Sequence, residues 1–248
     1  MRDRLIFAVL LINSGLIWAQ KQNTEIIRSD IVIANYLTGV ETYAALYTGK
    51  METPYDIPFS NHPYFETTGY ISGTLCYNRV VYKDVLMRLD LYRDELSVMY
   101  PDMKVGIVLN NDKFDYAVLN EAVIIKTAAD RKTKEKYVVL LHNGTYPVVK
   151  VHDIRIIEEL SSLVVRRYFR IQYQYAIYSD GILYPVKNKS SILKMFPDSR
   201  KELNEYAKRH KLDFIKYPEQ SIVSLVDHYE DIMSQKHADE ADETDLRR

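Results

Sequence analysis

Six histidines are the first residues to ask for chemistry: His62, His142, His152, His210, His228 and His237. No two of them show the H-E-x-x-H spacing, or another zinc spacing, that would set two imidazoles around one ion. His152-Asp153 and Asp227-His228 resemble acid–base or metal pairs. Adjacent strand residues point to opposite faces, though, and adjacent helix residues lie about 100° apart, so neither pair is expected to converge on one atom.

The other chemistries lack their framework as well. No G-x-S-x-G elbow is present to lift a serine nucleophile, and Ser72 opens a strand between Ile71 and Gly73. The chain has 8 glycines and neither phosphate-loop pattern among them. Asp90 with Asp94 and Glu158 with Glu159 are carboxylate pairs without a supporting motif. Glycosidases recruit two carboxylates from distant positions, so a glycan hydrolase stays open as an alternative. Cys76 is the one cysteine; it cannot form an intramolecular disulfide and reads as a buried, inert thiol. Arg166, Arg167 and Arg170 read as a solvated strand edge. The expectation is therefore no catalytic residue, no metal ligand and no cofactor.

What the chain has in abundance is tyrosine: 21, against 7 Phe and 1 Trp. A tyrosine ring packs apolarly while its hydroxyl reaches water or a partner. Tyr77, Tyr82, Tyr92, Tyr173 and Tyr175 are the candidate ligand- or partner-binding residues. The competing reading is that tyrosine fills both faces of a curved sheet.

These residues need elements to position them. From Tyr70 the polarity alternates with period two: Ile71, Gly73, Leu75 and Tyr77 on one face, then Val85, Met87, Leu89 and Leu91 after a tight turn at Asn78-Arg79. Arg93-Asp94 turns the chain again, and strands are predicted over 96–100, 105–109, 114–119, 122–126, 137–142, 145–152, 168–178 and 182–186. Asn143-Gly144 predicts a type I′ hairpin turn, and Asp180-Gly181 a second tight turn. AADRKTKEK reads as a solvated hairpin tip, and TPYDIPFSNHPYF, with Pro54, Pro58 and Pro63, as an extended loop. After Ser190 the period becomes helical, with Ser199 and Glu202 spaced as a capping box and an amphipathic helix following Pro218. The fold class is mainly β with C-terminal helices (α+β), an antiparallel curved sheet or partly open barrel. Its expected parts are a β domain over 20–187, a helical segment over 188–235 packed on the sheet, and a disordered charged tail over 236–248. Residues 31–40 suit a strand and turn or a short helix.

Thirty-three Lys and Arg nearly cancel 34 Asp and Glu. Such balance argues against nucleic acid and equally gives no sign of attraction to anionic lipid. The first nineteen residues differ from the rest: Arg2 and Arg4, an apolar run from Leu5, then Ala19 before Gln20, the pattern of a cleavable secretory signal. Asn13, Ser14 and Gly15 interrupt that run, and it is short of the ~20 residues of a spanning helix. No later window is apolar enough to span as a helix. A transmembrane barrel is disfavoured by the short strands, the helical last quarter and the DLRR end.

Taken together, LYTGK, NHPYF, GTLCYNRVVYKDVLMRLDLYRDEL, KEKYVVLLHNGTYPVVK and YAIYSDGILYPVKNKSSILKMFPDSRKELNEYAKRHKLDF resemble a group of exported β-rich cell-envelope proteins of Bacteroidota, over residues 46–214. The resemblance rests on aromatic, glycine and turn positions. It implies a periplasmic or outer-membrane-peripheral setting and carries no catalytic residue across. The expected function is non-catalytic binding of an envelope protein, lipid or glycan. A lipid or lipoprotein carrier built on a half-open barrel is the other alternative. The signal reading predicts that the mature chain begins at Gln20, its net charge moving from −1 to −2 with the loss of Arg2, Asp3 and Arg4. Intact mass of the chain recovered from the envelope checks this, and a mass that retains residues 1–19 refutes it.

Overall fold

The computed structural model describes residues 43–127, 135–161 and 164–245. The expected signal segment, the elements proposed within 20–42 and the AADRKTKEK tip at 128–134 lie outside the described residues. The chain divides into two compact units, Met1–Thr48 and Gly49–Arg248. In the first, a 3-10 turn at Ala45–Tyr47 is closed by the Thr48 hydroxyl donating to the Ala45 carbonyl at 3.1 Å.

The second unit is an antiparallel sheet of eleven strands that does not close on itself, with helices at its C-terminal end. The strands are β1 (Lys50–Met51), β2 (Ile71–Tyr77), β3 (Val80–Asp90), β4 (Glu95–Tyr100), β5 (Val105–Val108), β6 (Phe114–Leu119), β7 (Ala122–Lys126), β8 (Tyr137–His142), β9 (Val148–Ser161), β10 (Val164–Ser179) and β11 (Ile182–Val186). Their order across the sheet is β1-β5-β4-β3-β2-β6-β7-β8-β9-β10-β11. Most neighbours in sequence are neighbours in space, and two-residue turns join three of these pairs, β2–β3, β6–β7 and β10–β11. Asn78 (φ 53°) and Arg79 (φ 63°), Asn120 (44°) and Glu121 (70°), and Asp180 (53°) and Gly181 (78°) all occupy the left-handed region that type I′ turns require.

Alternation decides the core. Leu75, Met87, Leu89, Leu96, Leu119 and Ile124 are fully buried on the sheet. Val85 is buried with Met87 and Leu89 as their spacing predicts, while Leu91 has already left the strand for the turn. Val148 and Ile177 face the helices, whereas their chain neighbours Val149 and Ala176 pack with Val138 in a separate cluster. The helices are α1 (Lys189–Met195), α2 (Arg200–Arg209) and α3 (Pro218–Asp245). Leu203, Ile222, Leu225 and Val226 seal them onto Val148, Ile177 and Val186. Phe196 stacks on Tyr229 with ring centroids 3.8 Å apart, and Tyr146 meets both rings edge-on.

Four local expectations are corrected. Asn143-Gly144 is not a type I′ turn: neither residue has positive φ, and the register His142↔Val148 leaves a five-residue loop. That loop is shaped by α3 instead, since the Glu230 carboxylate accepts the Tyr146 N–H at 2.7 Å and sits where a Cβ on Gly144 would be. The capping box is absent as well. A 3-10 turn at Pro197–Ser199 runs straight into α2, so Ser199 is not extended, and its buried hydroxyl has no partner among the described residues. The side-chain cap that does form is Asn188, accepting the Ser191 N–H at the start of α1. The helix α3 continues to Asp245, through the 236–245 stretch expected to be disordered. Finally, β9 and β10 pair over fourteen rungs, far beyond the expected 145–152 and 168–178, with Arg166 opposite Glu159 and Arg167 opposite Glu158.

The proline-rich segment 52–70 straps the sheet. The Phe65 N–H donates to the Leu89 carbonyl and the Leu91 N–H to the Pro63 carbonyl, extending β3 where β2 has not yet begun. A few residues away it reaches β10: the Ser60 N–H donates to the Arg167 carbonyl at 2.9 Å. The Asn61 side chain there takes the Phe169 N–H (2.7 Å) and donates to the Phe169 carbonyl (2.8 Å). One amide thus imitates a neighbouring strand. Asn61→Ala should lower unfolding stability by about 1–3 kcal/mol, read from urea midpoints; an unchanged midpoint would show that the strap is not held there.

Candidate functional site

Beneath the strap lie two polar clusters with mutually engaged groups. Arg88 is flanked by Tyr64 and Tyr70, each ring centroid 4.5 Å from the guanidinium. It pairs with Glu52 at 2.8 Å and donates to the Thr68 carbonyl at 2.9 Å. The Tyr70 hydroxyl donates to the other Glu52 oxygen at 2.7 Å, and the phenol is pushed well up by burial and by that carboxylate. Gly106 makes room, for a Cβ there would strike the Glu52 carboxylate and the Tyr70 hydroxyl. In the second cluster the Tyr55 hydroxyl donates to Asp90 at 2.6 Å, and Asp90 also accepts the Tyr92 and Arg93 N–H groups, each at 2.9 Å. Arg93 lies 4.0 Å over the Tyr55 ring and donates to the Thr53 carbonyl. Phe59 stacks on Phe169 at 4.3 Å and Tyr55 meets the same ring edge-on. These clusters hold the strap down.

The suspected reactive pairs separate as strand and helix geometry requires. His152 is buried against the edges of Phe65 and Tyr173, while Asp153, on the opposite face, pairs with Arg155 at 3.1 Å. His228 stacks on Tyr206 at 3.9 Å, and Asp227 is exposed. Glu158 pairs with Arg167, and Glu159 accepts the Tyr168 hydroxyl. Cys76 is buried, and its thiol is pushed up by burial and by Asp115 3.7 Å away. No group of three or more His, Cys, Asp or Glu fit for a metal ion occurs among the described residues.

The candidate tyrosines fall into three settings. Tyr77 and Tyr82 are core residues, 2% and 3% exposed, with the Tyr77 hydroxyl accepting the Asn110 N–H. Tyr92, on the turn after β3, is partly exposed and leans on Phe169. Tyr173 and Tyr175 come together on β10 at a groove of about 660 Å³ between the β10–β11 hairpin and the helices. Pro185, Phe214, Pro218 and Ile222 supply its apolar wall, and Gln174, Lys187 and Asn188 its polar rim. Tyr173 is 55% exposed, with the Lys150 ammonium 4.5 Å over its ring. Lys150 pairs with Glu219 at 2.7 Å, and the Tyr175 hydroxyl donates to the same Glu219 oxygen at 3.2 Å. Burial, then Glu219, raises the Tyr175 phenol to about 12, so it stays a donor at neutral pH.

Periodicity identified Tyr173 and Tyr175 as strand residues, but Phe214, Pro218 and Ile222 carried no sequence signal of a shared site. Pro218 and Ile222 reach the groove on α3, and Phe214 on the connection before it. Comparison with known protein families, with curated proteins and with solved structures returns no match.

One buried base, His152, and one partly buried acid, Asp94, contribute to the pH response of the fold. Burial, then the Lys150 charge, holds His152 at about 4, below its ordinary 6.5. Burial raises Asp94 from 3.8 to about 6, although its carboxylate accepts the Tyr137 N–H at 2.9 Å. Unfolded chains protonate His152 more readily, so its contribution is complete above pH 6.5 and is lost as pH falls toward about 4. Asp94 acts in the opposite sense: its contribution is complete below pH 3.8 and is lost as pH rises toward about 6. Asp94→Asn, which keeps an acceptor for Tyr137, should therefore show stability rising more steeply than the wild type between about pH 4 and 6. His152→Phe should rise less steeply over that range. Urea midpoints across the range test both, and equal slopes in all three chains would contradict the assignment.

Proposed function

We propose that this protein is an exported, non-catalytic cell-envelope protein that binds a partner protein or ligand, at the level of the periplasm or the outer-membrane periphery. The compartment rests on the N-terminal charged and apolar run ending at Ala19, and on the resemblance to Bacteroidota envelope proteins. The single observation that carries the binding role is the groove at Tyr173 and Tyr175. It pairs an apolar wall with hydrogen-bonding and charged groups at its rim, the combination that fixes both affinity and orientation of an occupant. A half-open barrel sheltering lipid is less well supported, because the sheet's inward positions are taken by fully buried Leu75, Met87, Leu89, Leu96, Leu119 and Ile124. A glycan hydrolase is less well supported too: Asp90, Glu158 and Glu159 are each engaged with different partners.

The test is photo-crosslinking in the native envelope, with a benzophenone amino acid at position 173 and, as control, at Val81, which is 52% exposed on β3. Position 173 should yield one discrete adduct, of protein or of lipid or glycan, that position 81 does not. No adduct at 173, or the same ladder from both positions, would remove the groove as the binding site.

A further inference from the structure

The connection between α2 and α3 leaves an aliphatic side chain uncovered among the described residues. Ile215 is 95% exposed, while its neighbours Leu212 and Phe214 turn inward against the helix cluster. The exposure is built in. Asp213 accepts the Ile215 and Lys216 N–H groups on one carboxylate oxygen, each at 2.9 Å, and its carbonyl accepts the Tyr217 N–H at 2.9 Å. Ile215 is thus held on a hydrogen-bonded turn. Tyr217 follows, 52% exposed, with the Lys216 ammonium 5.1 Å over its ring.

The charge along this stretch of the chain is one-sided. Residues 208–217 carry Lys208, Arg209, Lys211 and Lys216, all exposed, against the single acid Asp213. The Asp213 carboxylate is turned to backbone N–H groups, which hold it below its ordinary range. Of the flanking acids, Glu219 is paired with Lys150, and Glu205 stands on the exposed side of α2. The near-neutral chain as a whole offers no such bias.

We propose that this connection is a membrane-contact loop, in which Ile215 enters the interfacial layer of an anionic lipid surface while Lys208, Arg209, Lys211 and Lys216 meet its phosphates. A protruding aliphatic tip, a tyrosine beside it and long cationic side chains around it match the three layers of such an interface: acyl boundary, headgroup level and phosphate plane. A protein socket would also accept an isoleucine, but it would not by itself call for four exposed cations within nine residues. Phe214 of the same connection and Pro218 at the start of α3 line the groove, so contact would bring one groove wall to the lipid surface.

The test labels Ile215→Cys with bimane in the full chain. Cys76 is buried and so shielded from the reagent, and the unsubstituted chain measures its residual labelling. The label reports position 215 itself, so vesicle binding by the apolar N-terminal segment does not mimic the result; a label at Val81 is the control. Emission should shift to the blue on vesicles of phosphatidylcholine containing phosphatidylglycerol, stay aqueous on phosphatidylcholine alone, and stay aqueous at position 81. Lys208→Gln with Lys211→Gln should weaken the response about fivefold per charge removed. The proposal is overturned if position 215 remains aqueous on both vesicles, or responds equally to both. It is also overturned if the label shifts only with envelope protein extract, which would assign the loop to a protein socket.

Discussion

Asn61 holds both backbone groups of Phe169, and much of the structure depends on that one amide. A curled sheet that does not close leaves strand edges with unpaired N–H and C=O groups, which cost free energy when buried and invite association when exposed. Here β10 runs well beyond β11, and β3 runs beyond β2. The segment 52–70 meets both overhangs, with Pro63 and Phe65 on β3 and Ser60 and Asn61 on β10. Its three prolines suit this role, because they keep the segment extended without asking for N–H partners of their own. At the far edge the exposed strand is short and contains Pro185, which can offer no donor to another chain.

The strap in turn explains why so many polar groups lie beneath it. Arg88, Glu52 and Tyr70 form one interacting set, and Asp90, Tyr55 and Arg93 another. Such sets add little net stability over apolar packing, but removing one member leaves a buried charge, at about 3–5 kcal/mol. We read them as register devices: they allow the segment to sit in one place only. Their chemistry is directed inward, at each other. The groove differs because Lys150, Glu219 and Tyr175 engage one another at its rim while Tyr173 still presents a ring face to solvent.

Much of the fold was legible because alternation is a local property. The faces of β2 and β3, the turns at Asn78-Arg79 and Asp180-Gly181, and the helix after Pro218 all follow from residue types a few positions apart. The distal part of the β9–β10 hairpin was not legible. Its run IRIIEEL puts isoleucines on both faces, so the period-two signal disappears where both faces are partly covered. Asn143-Gly144 failed for a related reason: turn propensity is local, but the loop's shape is imposed by Glu230 from a distant helix.

The same division runs through the candidate site. The sequence by itself determined that the chain would be mainly β with C-terminal helices, that Tyr173 and Tyr175 would lie on one face of a strand, and that no nucleophile, metal or phosphate motif accompanies them. Only the tertiary structure decided that Tyr77 and Tyr82 are core, that Tyr173 and Tyr175 meet Phe214 and Ile222 across a groove, and that Ile215 stands uncovered while Phe214 does not. The physical reason is that periodicity specifies which side chains share a face. Whether that face meets a helix, a strap or water depends on segments far away in the chain, and burial is set by those contacts.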